Sequence, residues 1–207
     1  MNLNINTFNL WAKDDKDINM QRGHTPAVKE MFKLINGSTN LMNRKFKFLD
    51  LGCGNGWVVR KVAKNRFCDI AIGVDGAFEM VEKAKKLSSK KQKFIQADIQ
   101  SWSIEEKFDI ILSMETFYYF NNPKKIITNI YKNLLNPSGI LIIGIDHYLE
   151  NKQSLNWDKE YNLSTHTISL NDWKNIFIDN NFSNIKSNIF GKNKNWGGTL
   201  IISGQKL

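Results

Sequence analysis

The sequence predicts an α/β fold: a doubly wound, mostly parallel sheet with helices on both faces, closed at its far end by an antiparallel hairpin. Three observations predict it. Short runs rich in Ile, Val, Leu and Phe alternate with helix-like segments between residues 45 and 145, the signature of repeated strand–helix–strand units. Runs 108–112 and 140–145 are almost wholly apolar, as expected of strands covered on both faces. The last two runs, 184–190 and 199–203, have no helix between them, so they are expected to pair directly with each other.

In chain order, Thr25 and Pro26 read as the cap and first residue of a helix. Val28, Met31, Phe32 and Ile35 supply its apolar stripe and Gly37 its end. Residues 2–24 stand outside the alternation and are expected to fold over a pocket. A strand at 45–51 leads to a helix at 56–65, and a second strand at 69–74 to a helix at 77–87. Short strands follow at 94–97 and 108–112. Asn122 and Pro123 open a helix over 123–135, and the turn Asn136-Pro137-Ser138-Gly139 introduces the strand at 140–145. A helix over 170–180 turns Trp173, Ile176 and Phe177 to the core before the hairpin. The organisation expected is one layered unit, with a lid segment and helix at 1–44 and the main domain at 45–207.

Composition narrows the class. A chain of 207 residues with 42% hydrophobic and 12% aromatic residues suits a globular domain. No apolar run approaches the roughly 20 residues of a membrane span, and the N-terminus lacks the basic start and apolar centre of a signal peptide. A cytoplasmic location is the expectation. The net charge of +9 comes mainly from lysines, with arginine only at 22, 44, 60 and 66. These lysines are scattered, yet a basic surface keeps a nucleic acid open as partner. Cys53 and Cys68 are too few for a ligand quartet and have no histidine pair beside them, so no metal is expected.

The segment Phe48-Leu49-Asp50-Leu51-Gly52-Cys53-Gly54-Asn55-Gly56 carries the most information. An apolar strand ends in an acid, and three alternate glycines follow before a helix-like run. A backbone that turns sharply and lets a ligand approach needs residues without a β-carbon. A dinucleotide fingerprint does not fit, because its third glycine would fall on Trp57 or Val59.

Four landmarks fall in register with the strand endings: the turn with Asp50, Gly52, Gly54 and Gly56; Asp75 in Gly73-Val74-Asp75-Gly76; Asp98 in Gln96-Ala97-Asp98-Ile99; and the block Phe108 to Glu115 with its later Asn136-Pro137-Ser138-Gly139 turn. Together they resemble the class I S-adenosylmethionine-dependent methyltransferases. The resemblance implies a Rossmann-like sheet of seven strands, with S-adenosylmethionine across the carboxyl ends of the first four and S-adenosylhomocysteine as product. It implies a cofactor site of Asp50, Gly52, Cys53, Gly54 and Gly56 at the turn, Asp75 and Gly76 at the ribose, Met80, Asp98 and Ile99 at the adenine, and Ser113 and Met114 on the fourth strand. Trp102 is a second candidate for the adenine face, and Trp11, Phe8 and His24 for the lid.

The expected acceptor wall is Glu115 to Phe120, with Tyr118 and Tyr119 as substrate contacts or as packing residues. His147, after the fifth strand, is the first candidate for a base or acceptor contact, unless it is a surface histidine. Glu115 and Tyr118 are the other catalytic candidates. The acceptor expected is a small molecule. RNA methylation and a non-catalytic cofactor-binding role are the alternatives, and the oligomeric state stays open.

Overall fold

The computed structural model describes residues 2–207. Seven strands form one sheet: β1 (Phe46–Leu51), β2 (Cys68–Asp75), β3 (Gln92–Gln96), β4 (Phe108–Met114), β5 (Leu135–Ile145), β6 (Ser183–Phe190) and β7 (Thr199–Gln205). Their order is β3-β2-β1-β4-β5-β7-β6. β1 pairs in parallel with β2 and β4, β2 with β3, and β4 with β5, whereas β7 is antiparallel to both its neighbours. The expected parallel sheet and terminal hairpin are both present. The order reverses beside β1, so β1 and β4 diverge from each other's connections and leave a crevice at their carboxyl ends.

Side chains alternate across each strand, which builds two apolar layers. On one face, Leu49, Leu51, Ile111, Leu141 and Ile143 pack with Phe117, Ile127, Trp173 and Phe177. This face is covered by α5 (Pro123–Asn129) and α7 (Leu170–Asp179). On the other, Phe48, Ile110, Leu112 and Ile142 meet Val28, Met31, Ile35, Val58 and Val62 from α2 (Lys16–Ser38) and α3 (Trp57–Val62). Burying each such side chain contributes about 1.5–3 kcal/mol, so the two layers fix the strand ends that carry the site.

Several boundaries differ from those predicted. Pro26 does not start a helix; it lies inside α2. Thr25 Oγ1 donates to the Gln21 carbonyl at 2.6 Å and caps nothing. A proline inside a helix costs about 3 kcal/mol, and tertiary bonds hold the turn before it: Asp17 accepts from Lys83 at 2.7 Å and from Asn55 at 2.8 Å, and Gln21 accepts from Asn55 at 3.2 Å. Gly37 is within the helix rather than beyond it. The run after the glycine turn closes early as α3, six residues long.

The segment 123–135 starts as expected, with Asn122 accepting from Lys125 N at 2.9 Å, but widens into a π turn at Ile130–Leu134. β5 begins at Leu135, and the Asn136-Pro137-Ser138-Gly139 turn is a bulge within it. Phe108 pairs with Leu135 and Ile110 with Ile140, so the bulge absorbs the shift in register. Two helices went unpredicted: α1 (Leu3–Lys13) and α6 (Trp157–Tyr161). α4 (Phe78–Lys86) completes the second face. Among the described residues, no helix is long and apolar enough to cross a membrane.

Candidate active site at the carboxyl ends of the strands

A cavity of about 1020 Å³, its open mouth included, sits over the carboxyl ends of β1, β2 and β4. Its floor is the turn after β1. Gly52 N and Cys53 N donate to the Val74 carbonyl at 2.8 and 3.1 Å, which draws the turn against β2. The Cys53 side chain packs on Gly73, where a β-carbon would fall 2.7 Å from its sulfur. Its buried thiol is pushed well up by desolvation, then by Asp75 and Asp50, so Cys53 acts as a small apolar spacer and not as a nucleophile. A β-carbon on Gly54 would meet nothing within 4 Å, and Gly54 borders the cavity. That is the open cradle a ligand's backbone contact requires.

Asp75 binds the turn from the side, with Oδ2 accepting from Gly54 N and Oδ1 from Ala77 N, both at 2.8 Å. Burial raises its pKa and these two bonds oppose the rise. Asp50 is 2% exposed, and burial, helped by the charge on Asp75, pushes its carboxyl up to about 8. Asp98 and Ile99 line the far end with Met80, and Gly76 lies between them and the turn.

The roof is formed by α1 and the first half of α2. Asn4, Ile5 and Phe8 of α1 and Met20, Gln21 and His24 of α2 face the cavity. The roof is tied on both sides: Asn9 accepts from Glu79 N at 2.9 Å, Asn4 exchanges bonds with Ser164 at 2.9 and 2.7 Å, and Thr7 donates to the Asn162 carbonyl at 2.9 Å. On the β4 side the wall is Met114, Glu115, Thr116, Tyr119 and Phe120. Glu115 has φ of +59°, a left-handed conformation that turns the chain sharply off β4.

Of the residues expected at the cofactor, Asp50, Gly52, Cys53, Gly54, Asp75, Gly76, Met80, Asp98, Ile99, Met114 and His24 border this cavity, whereas Gly56, Ser113 and Trp11 do not. Gly56 is the cap of α3, and a β-carbon there would strike Phe94 at 2.4 Å. Ser113 is fully buried and donates to the Leu51 carbonyl at 2.6 Å, locking β4 to β1. Trp11 packs edge-on against Phe8 and Tyr161 at 5.2 and 5.8 Å, so Phe8 occupies the lining position instead. Trp102 packs against the core below.

Of the catalytic candidates, Glu115 borders the cavity, whereas His147 and Tyr118 do not. His147 is fully buried. Its Nδ1 is 2.9 Å from the Ser154 carbonyl and its Nε2 2.8 Å from Thr167 Oγ1. With both nitrogens engaged and Tyr118 in front of it at 5.3 Å, it is not part of the cavity wall. Tyr118 is also behind the wall, donating to Glu115 Oε2 at 2.7 Å and lying 3.0 Å from the Tyr119 hydroxyl. Glu115 and Tyr119 remain as lining residues.

Sequence reasoning missed two lining residues, Asp17 and Asn55, and a third residue, Asp146, that stands behind the lining. Asp17 and Asn55 join the roof to the turn, and Asp146 stands beside Glu115, donating its N–H to Glu115 Oε1. His24, Glu115 and Asp146 place ligand-capable atoms within 4.8 Å of one another. His24 is held down to about 4 by burial. Glu115 is raised well above the carboxylate range by burial, then by Asp146, and Asp146 itself reaches about 6 through burial. Only long-range folding joins these positions, so no local motif could have announced them.

A family profile described as a methyltransferase domain matches residues 42–181, which is two thirds of the chain. The chain belongs to that family. The match spans the glycine turn, the acids after β2 and β3, and the wall after β4. Over 113 residues the chain is 38% identical to a malonyl-[acyl-carrier protein] O-methyltransferase of Priestia megaterium, covering 53% of this chain and 40% of the relative. The chain spans about half the length of the first such curated relatives it matches. The methyltransferase in the complex with the Haloferax volcanii Trm112 activator superposes with a TM-score of 0.79 at 20% identity over 96% of both chains. Magnesium protoporphyrin IX methyltransferase of Synechocystis PCC 6803 with bound SAH superposes with a TM-score of 0.68 at 16% identity, over 90% of this chain and 84% of the other. The fold is that of the class I methyltransferases, and the cofactor of this domain is S-adenosylmethionine.

The residues present fit that cofactor: an open cradle at Gly54, buried acids at Asp50 and Asp75, and, among the described residues, no lysine or arginine on the lining to repel a sulfonium. Because the folded pKa of Asp50 is raised above its unfolded value, its contribution favours the folded apo state at low pH and fades as pH climbs from about 4 through 8. An ammonium group bound beside it reverses that preference by favouring the carboxylate. Calorimetry in buffers of different ionisation heat should therefore show proton release on cofactor binding near neutral pH. Release should vanish above roughly pH 9, and affinity should rise with pH up to that point.

Proposed function

We propose that this domain transfers the methyl group of S-adenosylmethionine to a small molecule enclosed beneath α1 and α2. The supporting observation is the roof: Asn4, Ile5, Phe8, Met20 and His24 cover the cavity opposite the strand ends, leaving a roofed space with an open mouth, which suits a small acceptor better than a polymer. When bound, the cofactor supplies an electrophilic methyl on a sulfonium. The chain's own task is to align an acceptor behind that methyl and exclude water, and such positioning accounts for roughly 7–11 kcal/mol of barrier lowering.

Asp50 and the turn are suited to the amino-acid end, Asp75 to the ribose diol, and Asp98 with Ile99 to the adenine. Glu115, Tyr119, Phe120 and Phe8 then bound the space left for the acceptor. Phe8 meets Tyr119 edge-on at 5.3 Å, so the roof and the wall meet in an aromatic contact whose π-faces favour a cation.

The test is incubation with methyl-labelled cofactor and either a deproteinised metabolite extract or RNA. Label should enter the small-molecule fraction. Label in RNA, with a steep loss of binding as salt rises, would overturn the reading. A second reading follows from the relatives, named for the carboxylate of a malonyl carrier. A net charge of +9 would suit an acidic carrier, but a carboxylate acceptor would find no lysine or arginine on the cavity lining among the described residues.

A further inference from the structure

The acceptor end of the cavity carries a charge anomaly. The chain has 29 lysines and arginines against 20 acids, yet its cavity is lined by Asp17, Asp50, Asp75, Asp98 and Glu115 and, among the described residues, by no lysine or arginine. Four of the five have an evident assignment. Asp17 is neutralised by Lys83 at 2.7 Å, and Asp50, Asp75 and Asp98 belong to the cofactor in the arrangement above. Glu115 accepts only from the neutral Tyr118 hydroxyl and Asp146 N–H and has no cation beside it among the described residues. It is 8% exposed, its neighbour Asp146 is 9% exposed, and Asp146 Oδ1 is buried without a hydrogen-bond partner among the described residues. Two adjoining buried carboxyl groups, one with an orphaned oxygen, lack a cation.

We propose that the missing cation is the acceptor itself: a protonated amine, held by Glu115 and Asp146 and methylated on nitrogen. This rests on the S-adenosylmethionine reading above. The ammonium donates to Glu115 on the cavity wall and, behind it, to the free Asp146 Oδ1, and His24, which also borders the cavity and belongs to the same cluster, closes the third side. Before attack, one N–H proton passes to a carboxylate oxygen of this pair. The freed nitrogen lone pair then forms the N–C bond as the C–S bond breaks, and the bonding electrons return to sulfur to leave a neutral thioether. The carboxylic acid later releases its proton to solvent. Overall, one ammonium and one sulfonium give one methylated ammonium, S-adenosylhomocysteine and one proton. The raised position of Asp146, about 6, suits a group that takes and returns a proton near neutral pH. A carboxylate acceptor would have to lie against Glu115 with no countercharge.

The probe is sinefungin, a cofactor analogue with an amine-bearing carbon in place of the methylsulfonium. It places an ammonium where the transferring methyl would sit. Sinefungin should bind about tenfold or more tighter than S-adenosylhomocysteine, the factor expected for a charge-assisted contact. The advantage should vanish in Glu115→Gln and in Asp146→Asn, while S-adenosylhomocysteine affinity stays within about threefold of the parent protein and shows that each variant folds. Equal affinity of the two analogues for the parent protein overturns the proposal. So does base-labile methyl ester formed from malonyl-pantetheine, or a requirement for added Mg²⁺ or Mn²⁺, which would hand the carboxylates to a metal. If neither analogue binds, the cofactor reading itself fails, a result distinct from all of these.

Discussion

Replacing Asp75 with alanine should weaken S-adenosylmethionine binding about a hundredfold or more, while the apo protein's denaturation midpoint moves little. Each hydrogen bond to an ionised carboxylate is worth about 1.5–3 kcal/mol, and a ribose diol would make two. The loss of both accounts for about 3 kcal/mol or more, which is two orders of magnitude in Kd. The apo protein has offsetting terms. The substitution orphans Gly54 N and Ala77 N, which Asp75 holds at 2.8 Å, but it also removes a buried carboxylate whose ionisation burial opposes. A second readout follows from Asp50. Its pKa is raised first by burial and then by the charge on Asp75, so Asp75→Ala should lower it and shrink the proton release seen at neutral pH. Calorimetry decides: a Kd within about threefold of the parent would remove Asp75 from the ribose. Asp75→Asn, which keeps an acceptor but no charge, should fall between the two.

Asp75 was legible in the sequence for a physical reason. A strand ending and a following turn are encoded within a few residues, and Gly73-Val74-Asp75-Gly76 contains both. The same holds for Asp50 with the glycine turn and for Asp98 after β3. The sheet order beyond them follows from the alternation of apolar runs with helices, because right-handed parallel crossovers leave few arrangements.

What the sequence hid depends on pairs far apart in the chain. Asp17 meets Lys83 across 66 residues, and that tie keeps α2 helical before Pro26 against the local signal for a helix start. Glu115 meets Asp146 across 31 residues. His147 follows β5 at the ligand end, as expected, yet the segments on either side of α6 supply the Ser154 carbonyl and Thr167 hydroxyl that take both its nitrogens. Position along a strand is local information; which way a side chain faces after the strand ends is set by what packs on it. That distinction also explains why Phe8 and not Trp11 lines the cavity. Both lie on α1, and the rotation of that helix is fixed by Asn9 bonding to α4 and Asn4 to Ser164.

Gly52→Ala should destabilise the protein by about 2–5 kcal/mol, whereas Gly54→Ala should chiefly cost cofactor affinity. Both positions have positive φ, +80° and +51°, where an L side chain costs about 1–2 kcal/mol. They part company in what surrounds them. A β-carbon on Gly52 would sit 1.9 Å from Thr116 Oγ1, 2.7 Å from its Cγ2 and 2.8 Å from its Cβ. Swinging the Thr116 side chain relieves the first two contacts but leaves its Cβ, which is fixed to the backbone that Glu115 turns away from β4. Overpacking of that kind adds about 1–3 kcal/mol, and any relief moves the β4 wall that Glu115 and Tyr119 share. On Gly54 the same carbon meets nothing within 4 Å and projects into the cavity, so the folded apo protein tolerates it and the ligand does not. Thermal denaturation and calorimetry on the two variants should therefore give opposite rankings: Gly52→Ala the lower melting temperature, Gly54→Ala the larger drop in affinity per degree lost. Equal stability losses with unchanged affinity at Gly54 would mean that the turn serves the fold alone and does not cradle the cofactor.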